Sequence, residues 1–196
     1  VHEGAIVFGL GAIKNLGRDA VTELVAEREQ NGPFTSLLDV CTRVNSRKLN
    51  KRALESMIKG GVFDCFCVGR ATLLNGLDGA VARAQKRIKD KASNQTSLFS
   101  MMGDMKPECR PGLGFECPEQ DLHEWSDEIK LSFEKEALGF YFTSHPLEYY
   151  RQEMLRINSM TVEDAREFSP ASEVKLAVLI THVKEYINKK GDKMAF

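Results

Sequence analysis

Two sets of residues in this 196-residue chain have types and spacing suited to chemistry, and in both the chemistry is recognition. Gln95-Thr96-Ser97-Leu98-Phe99 lies in a polar stretch, Ser93 to Ser100, with no helical or strand pattern of its own. The Gln95 amide both donates and accepts hydrogen bonds. Leu98 and Phe99 supply an apolar anchor for a pocket on a partner. Burying both side chains is worth roughly 3–6 kcal/mol before ordering costs, so the contact alone is weak. The second set is Lys14-Asn15-Leu16-Gly17-Arg18, a tight hairpin expected between two short helices. Gly17 has no Cβ to hold a ligand away from the backbone, and Asn15 tolerates a positive φ. Such a hairpin turns backbone N–H groups at a helix N-terminus toward a phosphate. Lys14 and Arg18 flank it with positive charge. Contact of this kind is independent of base sequence.

The charge distribution agrees with a polyanion partner for the front half. Residues 1–91 hold 15 Lys and Arg against 10 Asp and Glu, a net of +5, whereas residues 92–196 hold 12 against 18, a net of −6. Arg43, Arg47, Lys48, Lys51 and Arg52 follow one another with no acid among them, which nominates Lys51 and Arg52 as further phosphate contacts. Arg83, Lys86, Arg87, Lys89 and Lys91 form a second basic cluster, equally readable as a solvated helix face.

The remaining composition narrows the class. Hydrophobic content of 42% with 28% charge is that of an ordinary soluble globular protein. No run approaches a membrane span, and Val1-His2-Glu3-Gly4 is not a signal peptide. Five Cys at irregular spacing predict reduced cytosolic thiols. Cys65-x-Cys67 and the pair Cys109 and Cys117 fit no standard zinc module.

The elements that must position these residues are mostly helical. Apolar faces recur at helical spacing in Ala20, Val21, Leu24 and Val25; in Leu37, Leu38, Cys41 and Val44; and in Ala53, Leu54, Met57 and Ile58. The longest stripe is Leu73, Leu74, Leu77, Val81, Ala84 and Ile88. Asn31-Gly32-Pro33, Gly60-Gly61 and Val68-Gly69 punctuate them. Residues 92–124 read as a loop carrying the docking peptide. Residues 125–170 read as a helical connector, with a helix capped by the Ser126 hydroxyl and stopped at Gly139, and another opened by Pro146 with help from His145. From Val174 to Thr181 the period becomes two, predicting a strand. Lys189-Lys190-Gly191-Asp192 is a turn, and Lys193 to Phe196 starts a second strand. Two strands make no stable sheet alone, so the chain is expected to be a piece of a longer protein.

The first hairpin resembles a helix-hairpin-helix module, although Asn15 stands where many such hairpins carry Gly. A second copy is expected from Asn50 to Leu77, with Lys59-Gly60-Gly61-Val62-Phe63 as its hairpin. Paired Gly residues also serve to let two helices pack, so the second copy is read either as a DNA contact or as a buttress. A repair nuclease or lyase, or a purely helical scaffold, are the competing functions; for the former no catalytic Lys, Asp pair or metal cluster can be nominated.

Longer stretches resemble one family. Phe8 to Gly17, Gly32 to Leu37, Asn50 to Glu55, Phe133 to Tyr141 and Ser144 to Leu147 are similar to the alpha subunit of bacterial DNA polymerase III, a C-family replicative polymerase. Lys189 to Phe196 resembles the first hairpin of that family's OB domain. The resemblance implies a mainly α fold: a tandem helix-hairpin-helix domain over 1–91, a clamp-binding loop over 92–124, a helical connector over 125–170 and a truncated OB-fold over 171–196. It further implies that Gln95, Leu98 and Phe99 bind the sliding clamp (the beta subunit), and that duplex DNA meets Lys14, Asn15, Leu16, Gly17, Arg18, Lys51 and Arg52. Other polymerase III holoenzyme subunits would be partners, in the cytoplasm and away from any membrane. Template-directed DNA synthesis, with Mg²⁺ held in the palm, would belong to the parent enzyme; this stretch would carry no cofactor and no catalytic residue.

Overall fold

Side-chain caps and left-handed residues set where the helices begin and end. The computed structural model describes residues 8–92, 123–157, 159–168, 172–188, 191 and 193–195. A 3₁₀ turn at Leu10–Ala12 leads to Asn15, which takes φ 66°, and then to α1 (Arg18–Asn31), which ends at Gly32 with φ 80°. Ser36 accepts a hydrogen bond from the Asp39 N–H and opens α2 (Leu37–Arg43). Asn50 does the same for α3 (Lys51–Lys59) through the Ala53 N–H at 2.8 Å. A 3₁₀ turn at Asp64–Phe66 precedes α4 (Arg70–Ala92), the longest described helix at 23 residues. These elements and α5 (Asp127–Leu138) belong to one compact unit, residues 1–142. The helix expected near Ser126 is therefore packed with the hairpins. It stops at Gly139, with φ 89°, but the Ser126 hydroxyl makes no capping bond; Asp127 and Glu128 in the first turn favour that end electrostatically instead.

The core of this unit is the helical stripes turned inward. Leu37, Leu38, Val40, Val44, Met57, Ile58, Leu73 and Leu77 are all but inaccessible. They join α2 and α3 to the first half of α4. Burying one such side chain stabilises the fold by about 1.5–3 kcal/mol.

The second unit, residues 143–196, is built differently. The His145 Nδ1 accepts from the Leu147 N–H at 3.2 Å and starts a 3₁₀ turn, Pro146–Tyr150, that runs into α6 (Arg151–Arg156). Thr161 and Asp164 form a reciprocal capping box for α7 (Val162–Arg166). Strands β1 (Glu185–Ile187) and β2 (Lys193–Ala195) pair antiparallel, with Tyr186 opposite Met194. The strand expected over Val174 to Thr181 does not form. Among the described residues only Leu176 pairs, in an isolated parallel bridge to Met160. Alternation makes a segment suited to a sheet, but its N–H and C=O groups need a neighbouring strand, and Val178 and Ile180 remain exposed.

Candidate nucleic-acid interface

The first hairpin presents its backbone outward on a buried footing. Ile13 and Leu16 are core residues, so the predicted contact residue Leu16 anchors the turn from inside and does not face a ligand with its side chain. Lys14, Asn15, Gly17 and Arg18 are exposed. The Lys14 N–H is taken up by the Ala137 carbonyl at the end of α5 (2.9 Å), and the Leu16 N–H by Ile13 at 3.3 Å. The Asn15 side chain donates to the Ser56 Oγ on α3 at 2.9 Å, which pins the left-handed turn. Gly17 caps α1 without a side chain, and a Cβ there would meet nothing within 4 Å. The first in-register helix bond is Val21 N–H to Gly17. The N–H groups of Gly17, Arg18 and Asp19 therefore have no acceptor among the described residues. They are the open donors of a helix N-terminus, at its positive end.

The second hairpin has the opposite arrangement. Its N–H groups at Gly60, Gly61 and Val62 all bond to carbonyls of α3, at Ser56, Ile58 and Met57. Helix α5 covers it: a Cβ on Gly60 would stand 3.3 Å from Leu138 Cδ2, and Lys59 reaches Glu136 at 2.8 Å. Arg70 bonds Asp64 at 2.6 Å and Glu134 at 3.0 Å, and the fully buried Glu134 also accepts the Phe142 N–H at 3.0 Å. Asp64, then desolvation and Glu134, shape the Arg70 titration, and the net direction is upward, so the guanidinium stays charged. The N-terminus of α4 is already occupied by a carboxylate. The Glu124 Oε1 accepts from Ala71 N–H at 3.3 Å and from Trp125 N–H at 2.9 Å, with Gly69 leaving room for it.

The first basic cluster is largely spent inside the fold. Arg43 bonds Glu27 at 3.0 Å and Asp39 at 3.1 Å, donates to the Gly32 carbonyl at 2.9 Å, and lies over the Phe34 ring. Lys48 pairs with Glu23 at 2.9 Å, which holds that carboxyl below the usual range. Predicted contact Lys51 is ion-paired to Asp78 at 2.6 Å, and the bond raises its ammonium pKa. Predicted contact Arg52 is exposed, as is Arg47, and neither forms an ion pair among the described residues.

Gln95, Leu98 and Phe99 lie outside the described residues, as do Cys109 and Cys117. Cys65 and Cys67 are exposed free thiols, and no group of metal-ligating side chains occurs among the described residues. Cys41 is different: burial pushes its thiol up to about 12. No described helix is long and apolar enough to cross a membrane. Sequence reasoning missed Ser56, Glu124, Glu134 and the Ala137 carbonyl as the groups that set the two hairpins apart. The Glu134 position alone left a trace, a charge at the inward spacing of Leu131, Leu138 and Ala137.

Comparison with known proteins accords with this geometry. A family model described as a helix-hairpin-helix motif matches residues 1–73. The DNA polymerase III subunit alpha of Neisseria meningitidis serogroup B is 37% identical over 191 residues, covering 97% of this chain and 16% of that protein. That of Treponema pallidum is 37% identical over 204 residues, covering 100% of this chain and 16% of that protein. That of Escherichia coli K12 is 30% identical over 193 residues, covering 98% of this chain and 16% of that protein. The chain thus spans about a sixth of the length of the curated relatives it matches. With a helix-hairpin-helix match at its front and these relatives aligned along nearly all of it, the chain is similar over almost its whole length to one stretch of the bacterial DNA polymerase III alpha subunit.

Proposed function

We propose that this chain is the region of a replicative DNA polymerase that holds duplex DNA and tethers the enzyme to the sliding clamp. The observation that carries the DNA contact is the row of open N–H groups at Gly17, Arg18 and Asp19 between the exposed Lys14 and Arg18 side chains. Phosphate oxygens accept from such donors without regard to base sequence. Arg52 adds charge to the same unit, whereas Lys51 reaches a phosphate only by giving up Asp78. The clamp tether rests on Gln95, Leu98 and Phe99, whose spacing suits a peptide that orders on binding. Linking two weak contacts raises effective concentration, so DNA and clamp binding reinforce each other. Strands β1 and β2 are read as the first hairpin of an OB domain. Nucleotidyl transfer on palm-bound Mg²⁺, other holoenzyme subunits and a cytoplasmic setting belong to the parent polymerase.

Two titrations test the reading. Duplex binding measured by anisotropy is expected to be sequence-independent and to weaken steeply with salt; a flat salt response contradicts phosphate contact. Against the sliding clamp, Leu98→Ala with Phe99→Ala is expected to abolish association while duplex affinity stays unchanged. Equal loss of both activities would make the pair part of a core.

A further inference from the structure

Three members of the second basic cluster, Lys86, Arg87 and Lys89, differ from Arg43, Lys48 and Lys51 in forming no ion pair among the described residues. Among the described side chains of α4 the last buried one is Ala84; Lys86, Arg87, Ile88 and Lys89 are all exposed. At 100° per residue, Lys86 and Lys89 project opposite the Leu73, Leu77 and Ala84 stripe, and Arg87 stands at its edge. Like charges three residues apart destabilise a helix unless a counter-ion joins them.

The packing connects this surface to the first hairpin. Ser46 and Leu49 share a groove with Gln85 and Ile88, which places the 45–49 loop against the end of α4. Lys89 follows Gln85 by one turn, and Arg47 follows Ser46. On its other side the loop is fastened to α1, where Glu23 accepts the Asn45 N–H at 2.8 Å and pairs with Lys48. Asp19, in the first turn of α1, also acts on the Lys48 ammonium. Positive groups without an ion-pair partner among the described residues thus occur on each of these adjoining elements: Arg18 at the start of α1, Arg47 on the loop, and Lys86, Arg87 and Lys89 on α4.

We propose that the exposed end of α4, with Arg47 on the adjoining loop, is a second phosphate-binding surface that extends the duplex contact beyond the first hairpin. It rests on the reading that this unit binds DNA, and charge complementarity selects the nucleic-acid backbone as its occupant. Each phosphate neutralised contributes about 0.9 to the slope of log affinity against log salt. The test uses the whole chain with Lys86→Gln, Arg87→Gln and Lys89→Gln together, since Gln keeps helix propensity. Duplex affinity is measured by anisotropy between 50 and 200 mM salt, with circular dichroism to confirm retained helicity. The expected result is at least a ten-fold loss at the lower salt and a slope shallower by about 2–3, on the same basis. Lys86→Arg with Lys89→Arg keeps both values. An unchanged slope in the Gln variant overturns the proposal. Gly17→Asp, measured alongside, separates the two surfaces. Loss in Gly17→Asp with none in the Gln variant leaves the hairpin as the contact and removes the α4 surface. The reverse pattern keeps the α4 surface and removes the hairpin, and wild-type chain that binds no duplex at 50 mM salt removes both.

Discussion

The two hairpins are built from similar sequence and end in opposite states. At the first, Gly17, Arg18 and Asp19 leave their N–H groups open before a 14-residue helix. At the second, the hairpin amides bond within α3, and Glu124 fills the start of α4 with its own carboxylate. Helix α5 meets the two hairpins on different sides. Its C-terminal carbonyl at Ala137 holds the back of the first hairpin, while Leu138, Glu136 and Glu134 lie over the second. One helix thus braces one hairpin from behind and closes the other. In a tandem pair, then, a glycine-bearing turn is a potential phosphate site only where nothing else has taken its amides.

The largest way to break this contrast is to release α5. Glu134→Ala removes the buried partner of Arg70 and the acceptor of the Phe142 N–H. It should cost about 3–5 kcal/mol, read as a lowered urea midpoint. An unshifted midpoint would mean that α5 is not held by this pair. Smaller in energy but sharper in meaning is Gly17→Asp. Aspartate is a better N-cap than Gly by a few tenths of a kcal/mol, so the melting temperature should hold or rise. The same carboxylate satisfies the open amides and repels phosphate, so duplex affinity should fall at least ten-fold, about 1.4 kcal/mol. Parallel loss of stability would instead make the site structural. The smallest effect belongs to Ser56→Ala, which removes the acceptor for Asn15 Nδ2. About 1 kcal/mol of stability should go with it. Because the left-handed turn loosens, duplex binding measured by anisotropy should weaken by a few-fold, with Ser56→Thr restoring most of it.

Much of the helical half was legible because local rules decide it. The stripes through Leu37, Met57 and Leu73 are the core, Gly139 ends α5, and Asn15 takes the positive φ its side chain allows. What long-range pairing decides was not legible. The run from Arg43 to Arg52 looks like one basic patch, yet Glu27, Glu23 and Asp78 are drawn from other helices to neutralise three of its members. Glu124 lies 53 residues from the Ala71 amide it accepts from, a distance no spacing rule spans. The alternation at Val174 to Ile180 announces a strand, but a ladder depends on a neighbour that the alternation cannot supply.

The most direct measurement is an amide NMR titration of the whole chain with a short duplex at low salt. The resonances of Gly17, Arg18 and Asp19 should shift progressively while those of Gly60, Gly61 and Val62 stay in place. Movement at Gly60 to Val62 with none at Gly17 to Asp19 would contradict the assignment of the first hairpin as the DNA contact.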